Sequence, residues 1–145
     1  MRGVGLLWRV FQETRGDEDD MQEHKKMRAL VVDDHPPFLM ALTALLGGRS
    51  GVEVVGQAHN GADALTLAER ERPDLVLVDF SMPGMTGAEV ARKLKAEPWA
   101  PKVVVMSFHA DTEYRDLALR AGADAYLVKT DMHRELLPLL QRLQS

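Results

Sequence analysis

Five short apolar runs, separated by segments of helix length, constrain the fold of this chain more than any other feature. They are Ala29–Val32, Val52–Val55, Leu75–Val78, Lys102–Met106 and Ala125–Val128. The runs are rich in β-branched residues and apolar at consecutive positions, so an extended segment would bury both its faces. That pattern belongs to the inside of a parallel sheet. Only the second run carries an interior charge, Glu53, which suits an edge strand. The intervening segments read as helices. Phe38, Ala41, Leu42 and Leu45 form an apolar stripe, opened by Pro36-Pro37 and closed by Gly47-Gly48. Asn60 precedes a second helix with Ala64, Leu65 and Ala68 inward, and Thr86 to Glu89 spells a capping box for the third. Tyr114, Leu117, Ala118 and Ala121 line the fourth, stopped by Gly122. Leu136, Leu137, Leu140 and Leu143 line the fifth, where Pro138 should bend the helix or end its regular bonding. Strand–helix alternation repeated five times predicts an α/β fold: a doubly wound five-stranded parallel sheet with right-handed crossovers and helices on both faces.

At 145 residues the chain has room for one core. Residues 1–27 lack the pattern; they hold an apolar patch at Leu6 to Phe11 and an acidic cluster at Asp17 to Asp20. They read as a flexible extension to a domain over residues 28–145. The absence of cysteine excludes disulfides, thiolate catalysis and Cys-based zinc sites. The net charge of −4 argues against direct nucleic-acid binding by this chain. No apolar run is long enough to span a membrane, no secretory leader is evident, and the cytoplasm is the expected location.

In sheets of this kind ligands bind beyond the carboxyl ends of the strands. The first run ends in Asp33-Asp34, the third in Asp79, the fourth in Ser107 and the fifth in Lys129. Carboxylates gathered at one rim repel one another unless a cation joins them. Mg²⁺, with its preference for a few carboxylates and phosphate oxygens, is the expected partner. One carboxylate can then serve as a nucleophile on phosphorus, with the serine hydroxyl and lysine ammonium suited to the phosphoryl oxygens. The constellation predicts an aspartyl phosphate. Taken singly, an aspartate at a strand end is more often a helix cap, and Ser107 an ordinary buried hydroxyl. It is their joint placement on one rim that argues for chemistry. His24, His35, His59, His109 and His133 show no metal-ligand spacing, and no Walker motif is present.

From about Met27 to Gln144 the chain resembles the receiver domains of two-component response regulators. The resemblance is carried by Val31 to Pro36 (VVDDHP), Leu77 to Gly87 (LVDFSMPGMTG), Val104 to Ser107 (VVMS) and Ala121 to Lys129 (AGADAYLVK). The Asp-Asp-His-Pro opening is similar to the subfamily, LuxR-type, whose members usually add a C-terminal helix-turn-helix domain. The resemblance implies the flavodoxin-like (βα)5 receiver fold with strand order 2-1-3-4-5. It implies that Asp79 is the phosphoacceptor, that Asp33 and Asp34 hold Mg²⁺ together with Asp79 and the Ser81 carbonyl, and that Lys129 pairs with the phosphoryl group. Ser107 would be the switch hydroxyl and Tyr126 the switch aromatic. Pro83 and Gly87 would shape the loop after the acceptor, with a small helical turn. The implied partners are a sensor histidine kinase or phosphotransfer protein, a downstream protein, and a second copy of the chain through the fourth helix, fifth strand and fifth helix. The implied chemistry is self-phosphorylation and self-dephosphorylation, not turnover of an external substrate. With no output domain after Ser145, the expectation is a single-domain regulator or a fragment of a longer transcription factor.

There are departures from the family pattern. Phe108 follows the switch serine where a small residue is usual; a ring there would hinder a phosphodonor, hold the switch in one state, or pack beneath the fourth helix. Thr130 stands where many receivers have a proline after the lysine. His109 and Ser81 occupy positions that tune phosphoryl lifetime. Two rival functions remain at this level. A Mg²⁺-dependent aspartyl-phosphate phosphatase would need a second aspartate two residues after its nucleophile on the first strand, which Asp33-Asp34-His35 does not supply. A pseudo-receiver that only binds partners is favoured by Phe108 alone.

Overall fold

A computed structural model of the chain describes residues 25–49 and 51–144. The extension expected over residues 1–27 lies outside the described residues up to position 24. Met27 itself belongs to the first strand.

The strands are β1 (Met27–Val32), β2 (Val52–Ala58), β3 (Leu75–Asp79), β4 (Lys102–Ser107) and β5 (Ala125–Val128). They pair in parallel in the order β2-β1-β3-β4-β5, as the resemblance implies. The strand with the interior charge, β2, is an edge. Helices α1 (Pro36–Arg49), α2 (Gly61–Glu71), α3 (Gly87–Lys95), α4 (Thr112–Arg120) and α5 (Met132–Gln144) alternate with the strands.

Side chains alternate across the sheet and build two cores. On one face Leu30, Val32, Val76, Val78, Val103 and Val105 pack against α2, α3 and α4. On the other Ala29, Val31, Leu75, Leu77, Val104 and Met106 pack against α1 and α5. The middle strands are therefore apolar at consecutive central positions, which is the sequence pattern that announced them. In β2 the register shifts opposite Ala29 and Leu30. There Gly56 lets Leu67 of α2 lie directly on the strand, since a Cβ would meet its side chain at 2.7 Å.

Local signals set several helix ends. Asn60 caps α2 by accepting from the Asp63 N–H at 2.8 Å. Thr86 and Glu89 close a reciprocal capping box on α3. Gly122, at φ 106°, follows α4 and turns the chain into β5.

Several expectations are corrected. Helix α1 does not stop at Gly47-Gly48 but continues to Arg49, and the left-handed residue beyond it is Gly51, at φ 76°. Its buried face is Leu39, Leu42 and Leu46, while Ala41 is exposed. Because α1 is apolar almost all round, its sequence left the inward face underdetermined. In α4 Leu117 is exposed and in α5 Leu139 is buried while Leu137 is partly exposed. Helix α5 runs through Pro138, whose ring can offer no N–H to the preceding turn. The loop after β3 bends at Phe80 and again over Pro83 to Met85, with no helical turn before Gly87.

Candidate functional site

Among the described residues the buried polar and charged side chains are Asp33, Asp79, Ser107 and Lys129, and all four lie at the carboxyl ends of strands. The reason is topological. In a parallel sheet every strand points the same way, so residues just beyond β1, β3, β4 and β5 arrive on one rim. They line a cavity of about 220 Å³ together with Asp34, Ser81, Phe108 and two histidines.

Lys129 organises the charges. Its Nζ lies 2.6 Å from Asp33 Oδ2 and 3.2 Å from Asp79 Oδ1. Both carboxylates contact the ammonium, and Asp33 is the closer. The other Asp33 oxygen accepts the His35 backbone N–H at 2.9 Å, which fixes the carboxylate where the chain leaves β1. Lys129 opens a single 3-10 turn (Lys129–Asp131), and no cis peptide occurs among the described residues, the Lys129–Thr130 bond included.

Carboxylate oxygens of Asp33, Asp34 and Asp79 come within 4.8 Å of one another, the first and last buried and Asp34 exposed. Burial pushes the Asp79 carboxyl up from 3.8 to about 6; Lys129 and the Ser81 backbone N–H pull it down, and the charge of Asp33 adds to the rise. Three carboxylates against one ammonium leave an excess of negative charge. Ligands on opposite sides of a Mg²⁺ stand about 4 Å apart, so this donor set fits a small hard cation with little rearrangement. Asp34, the exposed member, would meet it from the solvent side.

Ser107 presents a buried hydroxyl that accepts the His109 N–H at 3.0 Å. Tyr126, in contrast, does not enter the cavity. Its hydroxyl donates to the His109 carbonyl at 2.5 Å. His109 thus joins β4 to β5 through its backbone, while its ring stacks on Tyr114 at 4.5 Å. Phe108 is 62% exposed, so it is not packed beneath α4. Its ring lies 4.9 Å from Lys129 Nζ, and Phe38 of α1 lies 4.3 Å from the same atom. Phe38 at the site was not foreseen: at helical spacing it reads as core, and only the turn of α1 brings its ring over the lysine.

The backbone behind Asp79 is equally specific. Gly87 donates its N–H to the Phe80 carbonyl at 2.9 Å. A Cβ at Gly87 would overlap the Asp79 carbonyl, so the loop after β3 closes this tightly only over glycine.

Comparison with known proteins agrees with this geometry. The sequence model of the response regulator receiver domain matches residues 29–141. The nitrate/nitrite response regulator protein NarL of Escherichia coli K12 is 36% identical over 122 residues, covering 84% of this chain and 56% of NarL. The transcriptional regulatory protein LiaR of Bacillus subtilis is 34% identical over 110 residues, 76% of this chain and 52% of LiaR. This chain thus spans about half the length of these curated relatives. Among solved structures, the NarL signal receiver domain of Mycobacterium tuberculosis superposes with a TM-score of 0.73 at 35% identity, covering 81% of this chain and 98% of that one. A LuxR-family DNA-binding response regulator of Staphylococcus aureus gives 0.77 at 26% identity, covering 82% and 99%. A five-stranded sheet in the order 2-1-3-4-5, a rim of aspartates with one lysine, and a family match over most of the domain converge: the chain belongs to the response regulator receiver domains of two-component systems.

Proposed function

We propose that this receiver is phosphorylated on Asp79 in a Mg²⁺-dependent reaction and reports that event by a change in its protein contacts. The observation that carries the reading is the meeting of Asp33, Asp34 and Asp79 within 4.8 Å, with Lys129 Nζ 3.2 Å from Asp79. An Asp79 oxygen attacks the phosphorus of a phosphohistidine on a sensor kinase or phosphotransfer protein. The P–N bond breaks with its electron pair going to the imidazole nitrogen, and a P–O bond forms to give an acyl phosphate. Hydrolysis returns the carboxylate and inorganic phosphate when water attacks the same phosphorus.

Mg²⁺, held by Asp33, Asp34, Asp79 and the Ser81 carbonyl, would supply positive charge for the phosphoryl oxygens. The chain's own groups do the rest. Lys129 offers its ammonium to the new charge, and Ser107 offers a hydroxyl at the end of β4. Since the Ser107 oxygen now accepts the His109 N–H, turning that hydroxyl to a phosphoryl oxygen alters the link that continues through His109 to Tyr126. The surface around β4, α4, β5 and α5 is where the change would be read, by a downstream protein, by a second copy, or by an output segment such as the relatives' unmatched half. The chemistry is modification of the chain itself.

The test is intact-mass measurement after exposure to acetyl phosphate, with and without Mg²⁺. The wild type should gain one phosphoryl group only with Mg²⁺, and Asp79→Asn should gain none. A gain that survives Asp79→Asn overturns the assignment. Catalytic turnover of small phosphate esters would favour a phosphatase instead.

A further inference from the structure

Lys129 is almost fully buried, with 3% of its side chain exposed. The two carboxylates account for one side of its ammonium. The other side is covered by rings: Phe38 at 4.3 Å and Phe108 at 4.9 Å from Nζ. The rings touch each other edge to face, 6.3 Å between centroids at 67°. They come from different elements, Phe38 from the first turn of α1 and Phe108 from the residue after β4. An aliphatic side chain in either place would strip water from the ammonium and return nothing. A ring face offsets that loss through its quadrupole. Phe108 keeps its place over the ammonium although 62% of it is exposed.

We propose that Phe38 and Phe108 form an aromatic clamp that positions Lys129 against Asp33 and Asp79, so that the ammonium waits where a phosphoryl group on Asp79 needs it. Neither ring takes part in the reaction; both act through the lysine. The proposal deepens the phosphoacceptor reading and rests on it for its consequence, but the clamp itself is a geometric statement that stands or falls separately. It also assigns a use to the bulky residue after the switch serine: holding the lysine, with obstruction of the donor as the rival use.

Two readouts test it on the full chain. The first is the NMR spectrum of Lys129. Its methylene protons next to Nζ, the atom that lies over both rings, should be shifted upfield of those of the exposed lysines. Phe38→Leu and Phe108→Leu keep apolar volume and lose the ring, so each should reduce that shift, while Phe108→Tyr should keep it. The second is the rate of Asp79 phosphorylation by acetyl phosphate, which should fall about three- to tenfold in each leucine variant, the range set by one cation–π contact, and stay near wild type in Phe108→Tyr. A Lys129 shift that is ordinary in the wild type, or unmoved by leucine, overturns the clamp. So does faster phosphorylation in Phe108→Leu, which would make the ring a door. If no variant or wild type is phosphorylated but the shifts behave as stated, the clamp holds and the phosphoacceptor reading fails. Phe108 lies at the surface, so its variants keep the test available if Phe38→Leu does not fold.

Discussion

The two ends of the sheet handle charge in opposite ways. At the amino-end rim Glu71 and Asp124 each face a cation, and Asp74 holds a backbone donor. Asp74 accepts the Arg28 N–H at 2.8 Å, and the Arg28 guanidinium reaches the Glu71 carboxylate at 3.1 Å and the Glu71 carbonyl at 2.7 Å. Asp124 accepts from Lys95 and from the Val103 N–H at 2.9 and 2.8 Å, and Lys95 also donates to the Pro101 carbonyl. These contacts satisfy backbone groups where β1 and β4 begin and where α2 ends, and they keep some contact with water. At the carboxyl-end rim three carboxylates gather beside one lysine, whose ammonium pairs with the buried Asp33 and Asp79. A matched charge pair fastens the chain. An unmatched buried cluster costs the fold stability, and is understandable only if something else completes it.

The largest expected effect tests that asymmetry directly. Lys129→Ala should strand Asp33 and Asp79 without a cation and destabilise the metal-free protein by about 3–5 kcal/mol in urea unfolding at pH 8, with Mg²⁺ restoring part of the loss. A variant as stable as wild type would show that the rim is not under charge stress. Next, Asp79→Asn should stabilise. The folded carboxyl titrates near 6 and the unfolded one near 3.8, so the native state binds the extra proton between these values. The ionised Asp79 therefore costs nothing below about pH 3.8, progressively more through the window, and the full amount above about pH 6, at most about 3 kcal/mol. Unfolding in metal-free buffer should show the asparagine variant ahead at pH 8, with the gap closing towards pH 4; a gap that is constant or reversed refutes the assignment of strain to this carboxylate. At the other rim Lys95→Ala should cost less than about 1 kcal/mol, because Asp124 keeps its backbone donor; a loss comparable to that of Lys129→Ala would erase the contrast between the rims. Smallest in stability is Asp34→Ala, within about 0.5 kcal/mol for an exposed side chain. Its effect should surface in Mg²⁺ titration, as a rise of at least about tenfold in the midpoint, and an unchanged titration would remove Asp34 from the metal site.

Much of this was legible in the sequence because strand direction makes it so. Once five apolar runs are recognised as parallel strands, the residue after each run must fall on one rim, and Asp33, Asp34, Asp79, Ser107 and Lys129 follow without tertiary knowledge. Edge placement of β2 followed from Glu53, and the α2 and α3 caps from local hydrogen bonding. Legibility failed where the pattern was degenerate. Helix α1 offers apolar residues on several faces, so Leu39 and Leu46 could not be told from Ala41 and Leu45. Glycines at its end signalled a stop, but a helix tolerates them near its terminus at about 1 kcal/mol each, and the turn waited for Gly51. Contacts between distant segments left no local trace at all. Nothing near Phe38 announces that its ring lies over Lys129, and nothing near Tyr126 names the His109 carbonyl as its acceptor.

Gly87 carries a consequence for how this domain can vary. It has no side chain and its only role is in the backbone, yet a single carbon added there would collide with the carbonyl of Asp79. In a saturation screen for signalling, position 87 should therefore be as intolerant as position 79, with all nineteen replacements failing. The two would be distinguishable only in how they fail: substitutions of the aspartate would leave a folded, silent protein, and substitutions of the glycine would disturb the loop that holds it.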